Sequence, residues 1–234
     1  MENKKIAVII PTYNEKSNII PLVKKILSLP LNIKVIVVDD NSPDKTGEIV
    51  KECFKNNTLV DVYIRREKRG RGLAGIFGYK RAIEGGFEII GEMDGDMSHN
   101  PKFIPAMIMN LKNSDAVIGS RYLKKGGEER KSFIRKLISR FASFYLRMIL
   151  NINLTDPTSG FRFFKKEYLA KIINYLKAED PFIVTEVIFY LNKAKAKISE
   201  VPIVFYERKT GKSKLKFTTL LKYLFRVIYL RIYG

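Results

Sequence analysis

Two carboxylates one residue apart stand in the stretch Glu92-Met93-Asp94-Gly95-Asp96-Met97-Ser98-His99-Asn100-Pro101. Anionic groups this close repel one another unless a cation lies between them or one is neutralised. They follow the apolar run Phe87-Glu88-Ile89-Ile90, which reads as a strand entering a core, so the pair belongs at a strand's carboxyl end. An Asp-x-Asp in that place is a candidate site for a hard divalent ion with oxygen ligands. The tripeptide alone is equally an ordinary turn. The elements around it have to decide between the two.

Those elements repeat. Residues 5–10 and 33–38 are short, β-branched, unbroken apolar runs of the kind buried on both faces of a parallel sheet. Further strands are expected at Val60–Ile64, Phe87–Met93 and Ala116–Gly119, with helices to about Leu29 and over Thr46–Phe54, Leu73–Glu84 and Pro101–Lys112. Strand and helix in alternation predict an α/β, Rossmann-like, mostly parallel sheet with helices on both faces. Such sheets bind ligands beyond the carboxyl ends of their strands. Three polar stretches lie at those ends: Pro11–Glu15, Asp39–Asp44 and Asp94–Ser98. Three at one edge make a pocket, where one alone would be a turn. Asp39–Asp44 also caps the helix that follows it. Arg69-Gly70-Arg71-Gly72-Leu73-Ala74-Gly75 starts a helix and lacks the ending of a P-loop; its backbone amides and arginines are placed to meet a phosphate.

The chain has 234 residues, with 43 Lys and Arg against 24 Asp and Glu, a formal net charge of +19. That balance calls for an anionic partner: nucleic acid, lipid headgroups or a phosphorylated substrate. The lone cysteine, Cys53, excludes an internal disulfide framework, suits a reducing compartment, and reads as a small buried residue on a helix. No signal peptide is evident at Met1–Lys5, and no apolar run approaches the ~20 residues that cross a bilayer. The expectation is a soluble or peripheral protein.

Past Gly119-Ser120-Arg121-Tyr122 the pattern changes. Leu123–Ser132 reads as a mobile loop. Phe133, Leu137, Phe141, Phe144 and Met148 then fall at helical spacing among Lys136, Arg140 and Arg147, and a similar helix starts at Phe217. Two helices rich in both aromatic and basic residues suit a membrane interface, packed on the sheet by one side, with basic ends meeting headgroups. Between them come Asp156–Arg162, a strand at Phe161–Phe164, helices over Lys166–Leu176 and Val184–Lys193, and an alternating strand at Ile198–Tyr206. The basic stretch Arg208–Leu215 follows, and is suited to gripping a diphosphate.

Five of these stretches, Pro11–Glu15, Val38–Asp44, Asp94–His99, Gly119–Tyr122 and Asp156–Arg162, occur in an order and spacing that resemble the dolichyl-phosphate mannose synthases, inverting GT-A glycosyltransferases of the family 2 type. The resemblance covers nearly the whole chain. It implies one GT-A catalytic domain over residues 1–234, with a nucleotide-binding half at about 1–120, an acceptor and membrane-facing half at about 121–234, and interface helices at about 133–150 and 216–232. It implies that Pro11, Tyr13, Glu15, Val38 and Asp40 line the nucleoside pocket, and that Asp94, Gly95 and Asp96 face the sugar nucleotide. Asp94, Asp96 and Ser98 would be the segment that holds Mg²⁺ or Mn²⁺; many relatives carry Gln where this chain has Ser98, whose hydroxyl still coordinates directly or through water. Arg208 and Lys214 match residues that hold the donor diphosphate, and Arg121, Arg135 and Ser139 those that receive the lipid phosphate. Asp94, Asp96 and Arg121 carry the catalytic expectation.

The implied reaction moves mannose from GDP-mannose to dolichyl or polyprenyl phosphate at the cytoplasmic face of a membrane, by a peripheral enzyme; some relatives also recruit membrane-embedded subunits. A UDP-glucose donor shares the nucleoside pocket and stays open at this point. A non-catalytic module for anionic membranes or nucleic acid would use the charge alone, but Asp39, Asp40, Asp94 and Asp96 would repel nucleic-acid phosphates. The single histidine, His99, reads as a turn residue capping the helix after Pro101, not as a base or ligand.

Overall fold

Ile6-Ala-Val-Ile-Ile forms β1 (Ile6–Thr12), central in a seven-stranded sheet. β1 pairs in parallel with β2 (Ile33–Asp39) on one side and with β4 (Ile89–Glu92) on the other, and β3 (Val60–Ile64) lies outside β2. β7 (Arg162–Lys165) runs antiparallel between β4 and β5 (Ala116–Ser120), and β8 (Ile198–Pro202) is parallel to β5. The order is β3-β2-β1-β4-β7-β5-β8. The computed structural model describes residues 4–129, 132–207 and 217–234, apart from the side chains of Arg135 and residues 217–220.

Alternate residues of β1 feed two cores. Ile6, Val8 and Ile10 pack with α1 (Lys16–Leu27) and α4 (Ile104–Asn110), whereas Ala7 and Ile9 pack with α3 (Arg71–Glu84) and α7 (Ile183–Lys193). A side-chain period of two, with both faces covered, accounts for the unbroken apolar run. Between these come α2 (Thr46–Cys53) and α6 (Lys166–Ile172). The expected helix over Pro101–Lys112 divides into a 3₁₀ turn at Pro101–Phe103 and α4. Its two prolines, Pro101 and Pro105, lack the N–H groups an unbroken ladder needs.

Three expectations change. The stretch 123–132 carries a strand, β6 (Gly127–Glu129), and Ile198–Tyr206 divides into β8 and β9 (Val204–Tyr206), which leaves the main sheet to pair with β6. Pro202 has no N–H to continue the β8 ladder, so the chain turns there. Cys53 is exposed at the end of α2, because the buried face of that short helix is met by Thr46, Gly47 and Val50.

α5 (Phe133–Leu150) and α8 (Phe217–Tyr233) lie together on the second core. Leu146, Leu150, Val227 and Leu230 are buried, and the Tyr145 hydroxyl donates to the Leu224 carbonyl at 3.0 Å. The larger apolar side chains face outward, with Phe133 76% and Phe225 72% exposed, joined by Ile134, Leu137, Phe144 and Tyr229. Arg226 pairs with Asp180 at 2.6 Å and lies over Phe182. No described helix is long and apolar enough to cross a membrane.

Candidate active site

The carboxyl ends of β1 and β2 are laced by short polar side chains. Buried Asp39 accepts from the Thr12 hydroxyl (2.9 Å), the Ser42 amide (2.9 Å) and the Ser42 hydroxyl (2.6 Å), while Asn14 N donates to Ser42 Oγ at 3.0 Å. Glu15 N reaches Thr46 Oγ1 at 3.0 Å. Asn14 and Asn41 take left-handed backbone at these ends (φ 62° and 52°), which asparagine tolerates well. Pro11 and Val38, both expected at the nucleoside pocket, are register partners. Val38's side chain is buried in the core under α3, so a pocket here can use only its backbone.

Asp40 is held by the Arg65 guanidinium and by the Gly70 amide (2.7 Å). Burial pushes its carboxyl above the usual range, against the pull of Gly70 and Arg65. Tyr13 is exposed and carries the Arg69 guanidinium on its hydroxyl and over its ring. The glycine-rich start of α3 is not an anion cradle: Gly70 N is taken by Asp40, and Gly72 N by the Glu179 carbonyl at 2.8 Å. A side chain at Gly72 would strike the Ala178 carbonyl (1.9 Å), so these glycines serve close packing against residues 178–180.

The acidic turn leaves β4. Asp96 Oδ1 accepts from Ser98 N (3.0 Å) and Ser98 Oγ (2.5 Å), and Met97 between them has φ 64°. A Cβ on Gly95 would lie 3.1 Å from Thr12 Cγ2, so the turn packs directly on β1. His99 is buried beneath the turn, contrary to the expected capping role, which Asn100 takes by accepting from Lys102 N at 3.0 Å. The imidazole stacks on Phe161 and meets the edge of Phe205. Its Nδ1 accepts from the Asp94 amide at 3.4 Å. Burial lowers its pKa, which agrees with a neutral ring accepting at Nδ1. Tyr206 N donates to the Ser98 carbonyl at 3.0 Å, so β9 ties the acidic turn to the chain just ahead of the basic stretch. Arg208 and Lys214, expected on the donor diphosphate, lie outside the described residues.

A charged cluster under this turn was not anticipated. Glu92 is fully buried. Its Oε2 accepts from Arg162 Nε at 2.8 Å and from the Tyr79 hydroxyl, and its Oε1 from Arg71 Nη1 at 2.8 Å. Arg71 Nη2 continues to Asp94 Oδ1 at 3.1 Å. Burial works against charge at Glu92, but Arg162 and Arg71 outweigh it and hold the carboxyl below its usual range. The legible signal was a glutamate within an apolar strand and an arginine following Phe161, since buried charges occur in pairs.

On the far side of His99 stands Arg121, 7% exposed. Its Nε and Nη2 form a fork on Asp156 (2.6 and 2.7 Å), Nη2 also reaches Thr158 Oγ1 (2.7 Å), and Nη1 faces Glu128 at 3.7 Å. Arg121, expected to receive the lipid phosphate, is thus a buried, oriented cation. Thr158 lies 3.4 Å from Ser143 on α5. Ser139 and Ser143 are four apart and share one face of that helix, so Ser139, expected at the acceptor phosphate, lies on the helix face that meets Thr158. The side chain of Arg135 is not described.

Oxygen donors suit a hard cation, and the two carboxylates with the Ser98 hydroxyl supply them. No cluster of three or more His, Cys, Asp or Glu side chains able to hold a metal is found among the described residues. A site built here therefore fits an ion that takes one or two protein carboxylates and completes its shell from substrate phosphates and water, the habit of Mg²⁺.

A mostly parallel sheet with paired carboxylates at its strand ends defines the GT-A-like class of α/β fold. In keeping with this, glucosyl-3-phosphoglycerate synthase from Mycobacterium tuberculosis, solved with Mn²⁺, UDP and glucosyl-3-phosphoglycerate, superposes with a TM-score of 0.67 over 97% of this chain and 78% of that one, at 19% identity. The family model of glycosyl transferase family 2 matches residues 7–173. The undecaprenyl-phosphate mannosyltransferase of Micrococcus luteus is 34% identical over 90% of this chain and 87% of its own length. The dolichol-phosphate mannosyltransferase of Pyrococcus furiosus is 40% identical over 94% of this chain, which spans 62% of that protein. The chain belongs to glycosyl transferase family 2, and it is a glycosyltransferase.

Proposed function

We propose that this enzyme transfers mannose from GDP-mannose to the phosphate of a polyprenyl or dolichyl monophosphate, with inversion in a single displacement, while resting on a membrane surface. The observation that carries this reading is the meeting, at one sheet edge, of the acidic turn 94–98 with the Arg121–Thr158–α5 line, beside an exposed apolar helix pair. The names of the relatives agree on a mannosyl group and a polyprenyl-type phosphate.

The strand-end stretches Pro11–Glu15 and Val38–Asp40 receive the nucleoside. Asp96 and Ser98 would hold Mg²⁺ or Mn²⁺, which would supply positive charge to the leaving nucleoside diphosphate. Arg208 and Lys214 grip the same diphosphate. Asp94 and Gly95 face the sugar. A phosphate monoester has a second pKa near ~6, so the acceptor arrives largely ionised and needs no strong general base. What it needs is aim. Arg135 and Ser139 receive it from α5, and Arg121, fixed in direction by Asp156, adds its positive charge beside them. The apolar faces of α5 and α8 seat the enzyme where the lipid's phosphate emerges.

Radiolabelled GDP-mannose and UDP-glucose, each incubated with polyprenyl phosphate and Mg²⁺ or Mn²⁺, test the reading. Mannosyl lipid from the first donor alone is the expected result. Glucosyl lipid, or no transfer from either donor, would overturn it.

A further inference from the structure

We propose that Glu200, on β8, is a positioning residue for the acceptor phosphate, acting through Arg121. The inference rests on the acceptor role given to Arg121 above and names the group that sets its direction.

Asp156 accepts the fork from Arg121, and its Oδ2 also accepts from the Arg121 amide at 3.1 Å. Asp156 lies in the irregular segment ahead of β7, so no strand ladder holds it. Glu200 does. Its Oε1 accepts from the Asp156 amide and from the Thr155 hydroxyl, each at 2.9 Å, and its Oε2 accepts from the Thr155 amide at 2.7 Å. A second arm reaches Arg121 from the strand side. An ionised carboxylate only accepts, and a hydroxyl has one proton to donate. Because the Thr155 proton points to Glu200, the 2.6 Å contact between the Thr155 and Ser120 hydroxyls has Ser120 as its donor. Ser120 Oγ in turn accepts from the Tyr122 amide at 3.2 Å. The relay runs from Tyr122 N through Ser120 and Thr155 to Glu200, and Ser120 and Tyr122 flank Arg121 in the chain.

Ser120, Arg121 and Asp156 are all buried, so an error of direction introduced at Glu200 passes to the guanidinium instead of relaxing into solvent. A displacement of about 1 Å in such a group can cost on the order of 10²-fold in rate. β8 is the last strand of the sheet, with β5 and β7 between it and β4. The strand ends proposed to receive the nucleoside, those of β1 and β2, lie beyond β4. A fault at Glu200 therefore acts on the acceptor side, whereas a residue that only stabilised the sheet would harm the handling of both substrates together.

The experiment compares Glu200→Gln, Thr155→Val, Arg121→Lys and the double variant Arg121→Lys/Glu200→Gln in the full chain. The Arg121 Nε–H resonance, assigned by its loss in Arg121→Lys, is followed by proton–nitrogen NMR. GDP affinity is read by calorimetry, KM and kcat for polyprenyl phosphate by mannosylation at saturating GDP-mannose, and folding by thermal melting. Glu200→Gln keeps the side chain's shape but turns an NH₂ group toward donors of residues 155 and 156. It is expected to shift the Arg121 resonance and to lower kcat/KM for polyprenyl phosphate about 10- to 100-fold, with GDP affinity within about twofold of the natural chain's. Thr155→Val removes the relay and leaves both amide bonds to Glu200, so it should give the same pattern at smaller size. In the Arg121→Lys background, Glu200→Gln should change kcat/KM by no more than about twofold, because residues acting through one another are non-additive. An unmoved Arg121 resonance, an equal loss of GDP affinity, or full additivity in the double variant would overturn the proposal. Were Glu200→Gln to melt early, Thr155→Val leaves the carboxylate in place and decides by the same criteria. Failure of the functional reading would show separately, as absence of mannosyl transfer by the natural chain, while the resonance still reports whether Glu200 directs Arg121.

Discussion

Asp96 and Glu92 are acidic residues four positions apart with opposite duties. Asp96 sits in a turn, its Oδ1 accepting from the amide and hydroxyl of Ser98, and is the proposed metal ligand. Glu92 is already compensated by two guanidiniums. Asp96→Ala is expected to lower mannosyl transfer by at least ~10³-fold, since the ion it would hold contributes several kcal/mol to leaving-group stabilisation, with the melting temperature little changed. Glu92→Gln should behave in reverse, as a stability variant. Its carboxyl is held below the ordinary range in the folded state, so its contribution is present above the unfolded pKa and is lost as pH falls through the folded value. Denaturant unfolding should show Glu92→Gln well below the natural chain at neutral pH, with the gap closing as the solution is acidified. A constant gap would refute the assignment.

At the scale of elements, the apolar runs announced β1 and β2 nearly to the residue, because strands buried on both faces leave an unbroken β-branched signature. The short β6 and β9 were hidden. Their pairing joins residues more than 70 apart, and three-residue strands carry too little pattern to read. The same reason hid the anchoring of Arg121, whose partner Asp156 lies 35 positions away. Asp156→Asn leaves a buried guanidinium poorly compensated and should destabilise the fold by about 3–5 kcal/mol in urea unfolding. α5 and α8 were read correctly as amphipathic, but periodicity did not tell which aromatic residues face out. Phe141→Glu with Phe225→Glu changes side chains that are exposed. Melting should hold, while binding to anionic vesicles weakens about 10- to 100-fold or more, from the ~1.5–3 kcal/mol of burial lost per phenylalanine.

For the whole molecule, the net charge of +19 acts at longer range than any pair described above. Attachment to vesicles rich in anionic lipid should fall steeply from about 0.05 to 0.5 M salt as the screening length shrinks, and attachment to neutral vesicles should stay weak throughout. Equal binding to both would remove electrostatics from the account. The proposed donor side was the more legible half in its strand-end stretches, Pro11–Glu15, Val38–Asp40 and Asp94–Asp96, which topology alone brings to one sheet edge. The proposed acceptor side depends on a buried arginine fork and on the facing of a helix, and neither has a sequence period.

The reversed strand β7 has a consequence for how the chain divides its tasks. A purely parallel sheet presents only outgoing loops at its chemical edge. β7 runs against its neighbours, so its incoming loop, residues 156–161, arrives there as well. Everything between the end of β5 and the start of β7, residues 121–161, is therefore one excursion that leaves and re-enters the sheet at adjacent strands. It is a cassette hinged on two neighbouring slots. Under the function proposed above, this cassette carries the acceptor residues Arg121, Arg135 and Ser139, while the nucleoside is received at the ends of β1 and β2, so the two specificities reside in separate stretches of the chain.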